Sequence, residues 1–167
     1  MTDEVAIRYE RVSKSFGAVT VLHEVSFEVL RGKAFCILGR SGSGKSVTLR
    51  QMIGLVQPDS GKIFVLGEDV TTLNSAGLTR VRKQVGFLFQ YSALFDSISV
   101  GENVAFPLRR HTRMREREIQ DKVGELLSRV GLESHRNKMP SEVSGGMRKR
   151  VGLARAMALA PSILLVD

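Results

Sequence analysis

The stretch Gly39-Arg40-Ser41-Gly42-Ser43-Gly44-Lys45-Ser46 has the spacing G-x-x-x-x-G-K-S and leaves little freedom in what can surround it. An apolar run, Ala34 to Leu38, precedes it and predicts a buried strand. Residues Ser46 to Ile53 follow with helical character. A strand feeding a glycine-rich loop that opens a helix aims several backbone N–H groups at one point. The N-terminal end of the helix dipole adds partial positive charge there. Glycine is needed where a Cβ would keep the backbone away from a phosphate. The expectation is a phosphate-binding loop over residues 39–46. Lys45 would reach the outer phosphates and the Ser46 hydroxyl would ligate Mg²⁺. A flexible Gly/Ser linker is the competing reading, but linkers are not usually gripped between two apolar segments.

The loop alone says nucleoside triphosphate and no more, since kinases, GTPases, helicases and transport ATPases share it. A length of 167 residues suits one domain, and 43% apolar with 25% charged residues is the composition of a soluble globular protein. No apolar run approaches the ~20 residues that span a bilayer. The start, Met1-Thr2-Asp3-Glu4, is acidic and has no apolar signal region. The single cysteine, Cys36, rules out an internal disulfide and reads as a small buried hydrophobe. These features fit a reducing cytoplasm.

The net charge of +8 is uneven: residues 109–155 hold 13 Lys/Arg against 6 Asp/Glu, residues 1–108 only 12 against 10. A basic segment suggests an anionic neighbour, nucleic acid or a membrane surface, or else a solvated helical face. It contains no aromatic residue, which argues against nucleic acid.

Further along, Val5 to Val12 reads as a strand and Ser13 to Gly17 as a turn. Val25, Phe27 and Val29 alternate as in a half-buried strand. The N-terminal section is therefore expected to be antiparallel. After a turn at Gln57 to Gly61 come a strand at Lys62 to Leu66 and a short helix at Ser75 to Lys83. Val85 to Phe89 predicts a buried strand ending at Gln90, followed by a loop to Ser99 and a helix from Val100 stopped near Pro107. Arg115 to Val130 is the clearest amphipathic helix, with Ile119, Val123, Leu126, Leu127 and Val130 on one stripe and Gly131 as its stop. A polar connection leads to Ser144-Gly145-Gly146, which opens a helix over Met147 to Leu159. Ile163 to Val166 predicts a buried strand ending in Asp167. His23, His111 and His135 match no motif and read as surface residues.

Ser144-Gly145-Gly146 is a second helix start suited to an anion. Either two anions bind, or two copies of the chain share nucleotides head to tail. The helix it opens leads to the strand ending in Asp167, the position at which P-loop NTPases place a Mg²⁺-associated carboxylate.

In this order the motifs resemble the nucleotide-binding domain of ABC transporters, over the whole chain. Gly39 to Ser46 is similar to the Walker A loop and Gln90 to the Q-loop glutamine. Val143 to Met147 is similar to the signature motif, and Ile163 to Asp167 to Walker B. Phe16 falls where that family stacks an aromatic on adenine. The resemblance implies an α/β P-loop NTPase core with an N-terminal antiparallel β region and an inserted helical subdomain. Residues 1–89 would form the nucleotide-binding core, 90–160 the Q-loop and helical subdomain, and 161–167 the Walker B strand, all in one domain. It implies ATP and Mg²⁺ as ligands, with Lys45 and Gln90 serving catalysis and Ser46, Gln90 and Asp167 around the metal. It also implies a homodimer in which Ser144 and Gly146 cap the nucleotide held by the partner's loop. Permease subunits would contact the region around Ala93 to Phe95, and the location would be peripheral, on the inner face of a bacterial membrane.

Two departures qualify this. Met147 stands where many members have glutamine. The family pattern also continues past the strand-end aspartate with a glutamate that orients water, then a D-loop and a switch histidine, and these 167 residues include none of them. The expectation is a chain that binds ATP without the base that hydrolyses it, and a sheet edge left exposed. The loop Gln90 to Val100, the stretch Asn103 to Arg109 and the signature followed by Arg148-Lys149-Arg150 are similar to ATPases of Mla/Mce-type phospholipid transporters. Importers of amino acids, metals or lipoproteins share much of this layout.

Overall fold

Tyr9 and its neighbours show how the first part of the chain is built. Ile7 and Tyr9 are buried while Glu10 faces solvent, the period-two pattern of a strand covering a core. In the computed structural model, which describes residues 4–167, this strand is β1 (Val5–Phe16). The acidic Met1–Asp3 start lies outside the described residues. β1 pairs antiparallel with β2 (Val19–Leu30), from Val5 opposite Leu30 to Phe16 opposite Val19. Ser13 to Phe16, expected as a turn, thus belong to the strand, and the reversal is carried by Gly17 (φ +58°) and Ala18. The polar run misled because a β-bulge resets the phase of the strand. Arg11 sits at φ +45°, the register shifts between Tyr9 and Val12, and Val12 returns to the core fully buried.

The helix α1 (Lys45–Met52) follows the glycine-rich loop. Next come β3 (Ser60–Val65), on the other side of β1, and a two-residue β4 (Glu68–Asp69). The sheet order is β2-β1-β3-β4, all antiparallel. Its core holds Ile7, Tyr9, Val12, Ile63, Val65 and Val70, with Met52 of α1. The helix α2 (Ser75–Gln84) closes the first of two compact units, which ends at Arg82.

The run Ala34 to Leu38 corrects an expectation. No ladder is formed over Lys33 to Arg40, Phe35 is 51% exposed, Leu38 is 87% exposed, and Cys36 is exposed too. An apolar run becomes a strand only where a neighbour supplies hydrogen-bond partners. Within its unit the run is held instead by a stack of rings, Tyr9 on Phe27 at 4.6 Å and Phe27 on Phe35 at 5.1 Å.

The second unit, Lys83–Asp167, pairs β5 (Val85–Leu88) with β6 (Ile163–Val166) in parallel register, Val85 opposite Ile163 and Leu88 opposite Val166. β6 is less buried than its apolar sequence suggests. Leu165 is in the core, but Leu164 and Val166 face solvent, as the outer face and edge of a two-stranded ribbon must. Between the strands run α3 (Val100–His111), α4 (Glu116–Arg129) and α5 (Gly145–Ala156), with 3-10 turns at Glu133–His135 and Pro140–Glu142. Ile119, Val123, Leu126 and Leu127 of the expected stripe pack against Val104, Leu108, Val151 and Ala154. Gly131 (φ +67°) ends α4 as expected.

α3 runs through Pro107 instead of stopping there. Proline removes the bond to the Asn103 carbonyl at a cost of ~3 kcal/mol. Burial of Val104, Ala105 and Leu108 on one stripe offsets that, since each side chain contributes about 1–3 kcal/mol. Among the described residues no helix is long and apolar enough to cross a membrane.

Much of the basic segment is a paired surface. Arg109 bridges Glu102 and Glu116, and Arg115 meets Glu118 at 3.2 Å. The Arg109 guanidinium, then Gln120, hold the Glu116 carboxyl down at about 2, and Arg109 likewise lowers Glu102. Both carboxyls therefore contribute stability above their unfolded values near 4.5, and that stability is lost as pH falls below them, for Glu116 as pH approaches about 2. Melting temperature, followed by circular dichroism between pH 6 and 2, is expected to fall in that window. Arg109→Gln should flatten the fall.

Candidate functional site

The first unit builds the glycine-rich loop from the hairpin upward. Tyr9 donates its hydroxyl to the Thr48 carbonyl at 2.7 Å, tying α1 to β1. Burial raises the Tyr9 hydroxyl well above its ordinary value, so it remains a donor. Gly44 is the residue before α1, at φ +90°. A Cβ there would meet Leu22 and Val21 of β2 at 2.8 and 2.9 Å, so glycine is required by conformation and by space together. Gly42 (φ +81°) has open space where a side chain would stand, leaving the loop's N–H row accessible. Gly39 abuts the Ser43 side chain, which would lie 2.4 Å from a Cβ. Ser41 and Ser43 are exposed at the crest, and Ser43 donates its N–H to the Arg40 carbonyl at 3.2 Å. Lys45 folds back over the loop, its Nζ donating to the Gly39 and Arg40 carbonyls, each at 2.8 Å. Ser46 stands beside it in the first turn of α1.

The arrangement is a cradle of backbone donors with the Lys45 ammonium hydrogen-bonded to two of its carbonyls. That cation is held by neutral carbonyls, weaker partners than a phosphate. The residues present fit a polyphosphate.

Phe16 ends β1 opposite Val19, and both are exposed, Phe16 by 50%. Two residues after Val19, or about 7 Å along the strand, Val21 touches the Gly44 position. The hairpin therefore carries an exposed ring on the strand pair that abuts the loop. The Lys14 ammonium lies 5.3 Å from the Phe16 ring centroid and is itself paired with Asp59 at 2.7 Å.

The second unit gathers the other expected residues at two places. β5 and β6 run side by side and end together, the Asp167 N–H donating to the Leu88 carbonyl at 2.9 Å. Gln90 follows β5 by two residues, so Gln90 and Asp167 leave the sheet at the same carboxyl edge, where open α/β sheets bind ligands. Elsewhere in the unit, Ser144 caps α5, its Oγ accepting from the Met147 N–H at 3.3 Å. Val143 is buried just before it and anchors the turn. Gly145 and Gly146 are exposed, and nothing lies within 4 Å of a Cβ placed on Gly146. The helix start is open to solvent with its N–H groups outward. His23 and His111 are exposed as expected, and burial with nearby Lys83 and Arg110 lowers His111 from its ordinary value.

Sequence reasoning missed the residues that hold the Gln90 loop. Asn103 is fully buried in α3. Its Oδ1 accepts from the Phe95 N–H at 2.8 Å, and its Nδ2 donates to the Phe95, Ile98 and Ser99 carbonyls at 3.0–3.2 Å. The only signal was an amide on the apolar face of a helix. Asn103→Ala would remove the side-chain partner of the Phe95 N–H and of the Phe95 and Ile98 carbonyls in a partly buried setting, and leave a cavity at a fully buried position, at a cost of about 2–4 kcal/mol. A lowered denaturation midpoint with an unchanged m-value is the expected result.

The family profile described as "ABC transporter" matches residues 22–167. The chain is 45% identical over 163 residues to the probable ribonucleotide transport ATP-binding protein mkl of Mycobacterium leprae, covering 98% of this chain and 47% of that protein. It is also 45% identical over 165 residues to the methionine import ATP-binding protein MetN 1 of Pseudomonas fluorescens, covering 96% and 49%. The chain spans about half the length of these curated relatives. Among solved structures, the dimeric cassette MJ0796 bound to ADP and Pi superposes with a TM-score of 0.90 at 32% identity, covering 96% of this chain and 73% of that one. CbiO1 of Clostridium perfringens, part of the cbiONQ transporter complex, gives 0.85 at 27% identity, covering 98% and 65%.

Proposed function

This chain belongs to the ABC transporter family, and from that premise we propose that it is the ATP-binding part of a transport ATPase subunit. The observation that carries the reading is the loop of residues 39–46, with Gly42 and Gly44 at positive φ and the Lys45 ammonium lying across its N–H row. When bound, Mg-ATP supplies the free energy of phosphoryl transfer. The chain's own contribution is placement. Gly39 to Lys45 present backbone donors to the phosphates, and Arg40, Ser41 and Ser43 shape the rim. Phe16 offers its exposed ring to the base. Ser46, Gln90 and Asp167 are the oxygen donors proposed for Mg²⁺, and Lys45 and Gln90 the groups proposed to serve the reaction. Ser144, Gly145 and Gly146 form an exposed helix start, suited to the phosphates of a nucleotide held by a second copy. The residues Ala93 to Phe95 are proposed to meet a permease subunit, on the inner face of a membrane.

The test is a titration with Mg-ATP, with Lys45→Ala as control and phosphate release read on the same sample. Binding that survives the substitution overturns the reading.

For the cargo we propose phospholipid, as in Mla/Mce-type systems, on the composition of the Gln90 loop and of the signature. Import of a small solute is the second reading, favoured by the equal 45% identity to MetN 1. Uptake of labelled methionine and movement of labelled phospholipid, compared in cells with and without the gene, separate the two.

A further inference from the structure

One turn and a half of α5 grips the chain just beyond β5. Arg155, in the last turn, donates from Nη2 to the Ser92 carbonyl at 2.7 Å and from Nη1 to the Ala93 carbonyl at 2.9 Å. Both acceptor residues are non-glycine at positive φ, +63° and +46°. Each such residue is strained and persists only where its surroundings hold it. The guanidinium also lies 5.9 Å from the Phe95 ring centroid. One turn earlier, Gly152 lets the same stretch come close, since a Cβ there would stand 2.8 Å from Leu88 Cδ1 and 3.2 Å from Ser92 Cβ. Gly152 is buried, and burial pulls Arg155 below its ordinary value, though a guanidinium stays charged at neutral pH. The outermost part of the loop is pinned separately, by Asn103.

We propose that Arg155 is a positioning residue that latches the Gln90–Phe95 loop to α5. Gln90 and the Ser144–Gly146 helix start then move as one body. The two lie toward opposite ends of a lever, because the 11 residue steps from Ser144 to Arg155 span about 16 Å of helix. A bidentate donor on two carbonyls suits this role. Lysine keeps the charge but supplies a single point in place of a planar fork. The residues at positive φ lie in the loop and not in the helix, so loss of the bonds frees the loop while α5 remains folded on Val151 and Ala154. The consequence rests on the nucleotide reading above: a shift at either proposed phosphate contact reaches the other through Arg155.

The test places spin labels at two exposed positions of the second unit, Tyr91→Cys and Lys149→Cys, in a Cys36→Ser background because Cys36 is exposed. Distances are read by pulsed electron resonance without nucleotide. With Arg155 present, one narrow distribution is expected. With Arg155→Lys the width should at least double, while the helical circular dichroism is kept. Gly152→Ala, which leaves Arg155 in place and pushes Ser92 away, should broaden it likewise. The two together should broaden it less than additively, as one shared contact requires. An unchanged distribution in folded Arg155→Lys overturns the latch. So does broadening accompanied by general loss of helix, since a merely structural arginine would give that result. Mg-ATP affinity, titrated separately, is expected to stay within twofold in Arg155→Lys. If wild type itself fails to bind Mg-ATP, the nucleotide reading falls and the distance result still decides the latch.

Discussion

Lys45→Ala is expected to weaken Mg-ATP binding about a hundredfold while leaving the fold intact. The side chain is half-buried and makes no apolar contact that the core needs; its ammonium rests on the Gly39 and Arg40 carbonyls. Exchanging two neutral carbonyls for phosphate oxygens gains a charge-assisted interaction. Losing that is worth about 3 kcal/mol, or roughly two decades in Kd. Isothermal calorimetry on wild type and Lys45→Ala reads it directly, with melting temperature as the check on folding. Equal binding by both proteins would place the nucleotide elsewhere than in residues 39–46.

The second large effect is expected from Gly86→Val. Gly86 lies in β5, and a Cβ there would stand 2.4 Å from the Ala156 carbonyl oxygen and 3.0 Å from Pro161. The obstacle is mainly backbone, so no side-chain rotation relieves it. Valine has the strand propensity for the site, which makes the substitution look harmless from sequence. The strand must instead retreat from the end of α5. Overpacking of this kind costs ~1–3 kcal/mol, and the loss of close contact around Leu165 adds to it. A fall of about 3 kcal/mol in a unit of this size corresponds to roughly 12–24 °C in melting temperature. Because β5 leads to Gln90 and α5 begins at Ser144, the variant should also disturb both proposed contacts. Gly86→Ala should have a milder effect of the same sign. A melting temperature unchanged in Gly86→Val would mean that β5 and α5 are less closely packed than the structure has them.

The readings that held share a cause. The helix that follows the glycine-rich loop, the helix stop at Gly131 and the stripe of α4 are written in spacings of eight residues or fewer, or in a period set by the helix itself. Local sterics decide them. The failures share one too. Ser13 to Phe16 looked like a turn because a bulge at Arg11 shifted which residues face inward. Pro107 looked like a stop because the burial of its neighbours was invisible. Ala34 to Leu38 looked like a buried strand because an apolar run carries no information about which strand will pair with it. Asn103 and Arg155 looked unremarkable because a polar residue on a helix is ordinary until its partners, up to 63 residues away, are known.

The sequence by itself determined where a glycine-rich loop opens a helix and which residues line that loop. Glycines at required positions, one lysine and a helix start are local chemistry, and local chemistry is legible without a fold. The tertiary structure decided what supports those residues: the bulge that returns Val12 to the core, the parallel register that brings Gln90 and Asp167 to one edge, and the amide and guanidinium that fasten the loop. These depend on hydrogen bonds and contacts between segments distant in the chain. Their cost and gain are settled only when the whole unit closes.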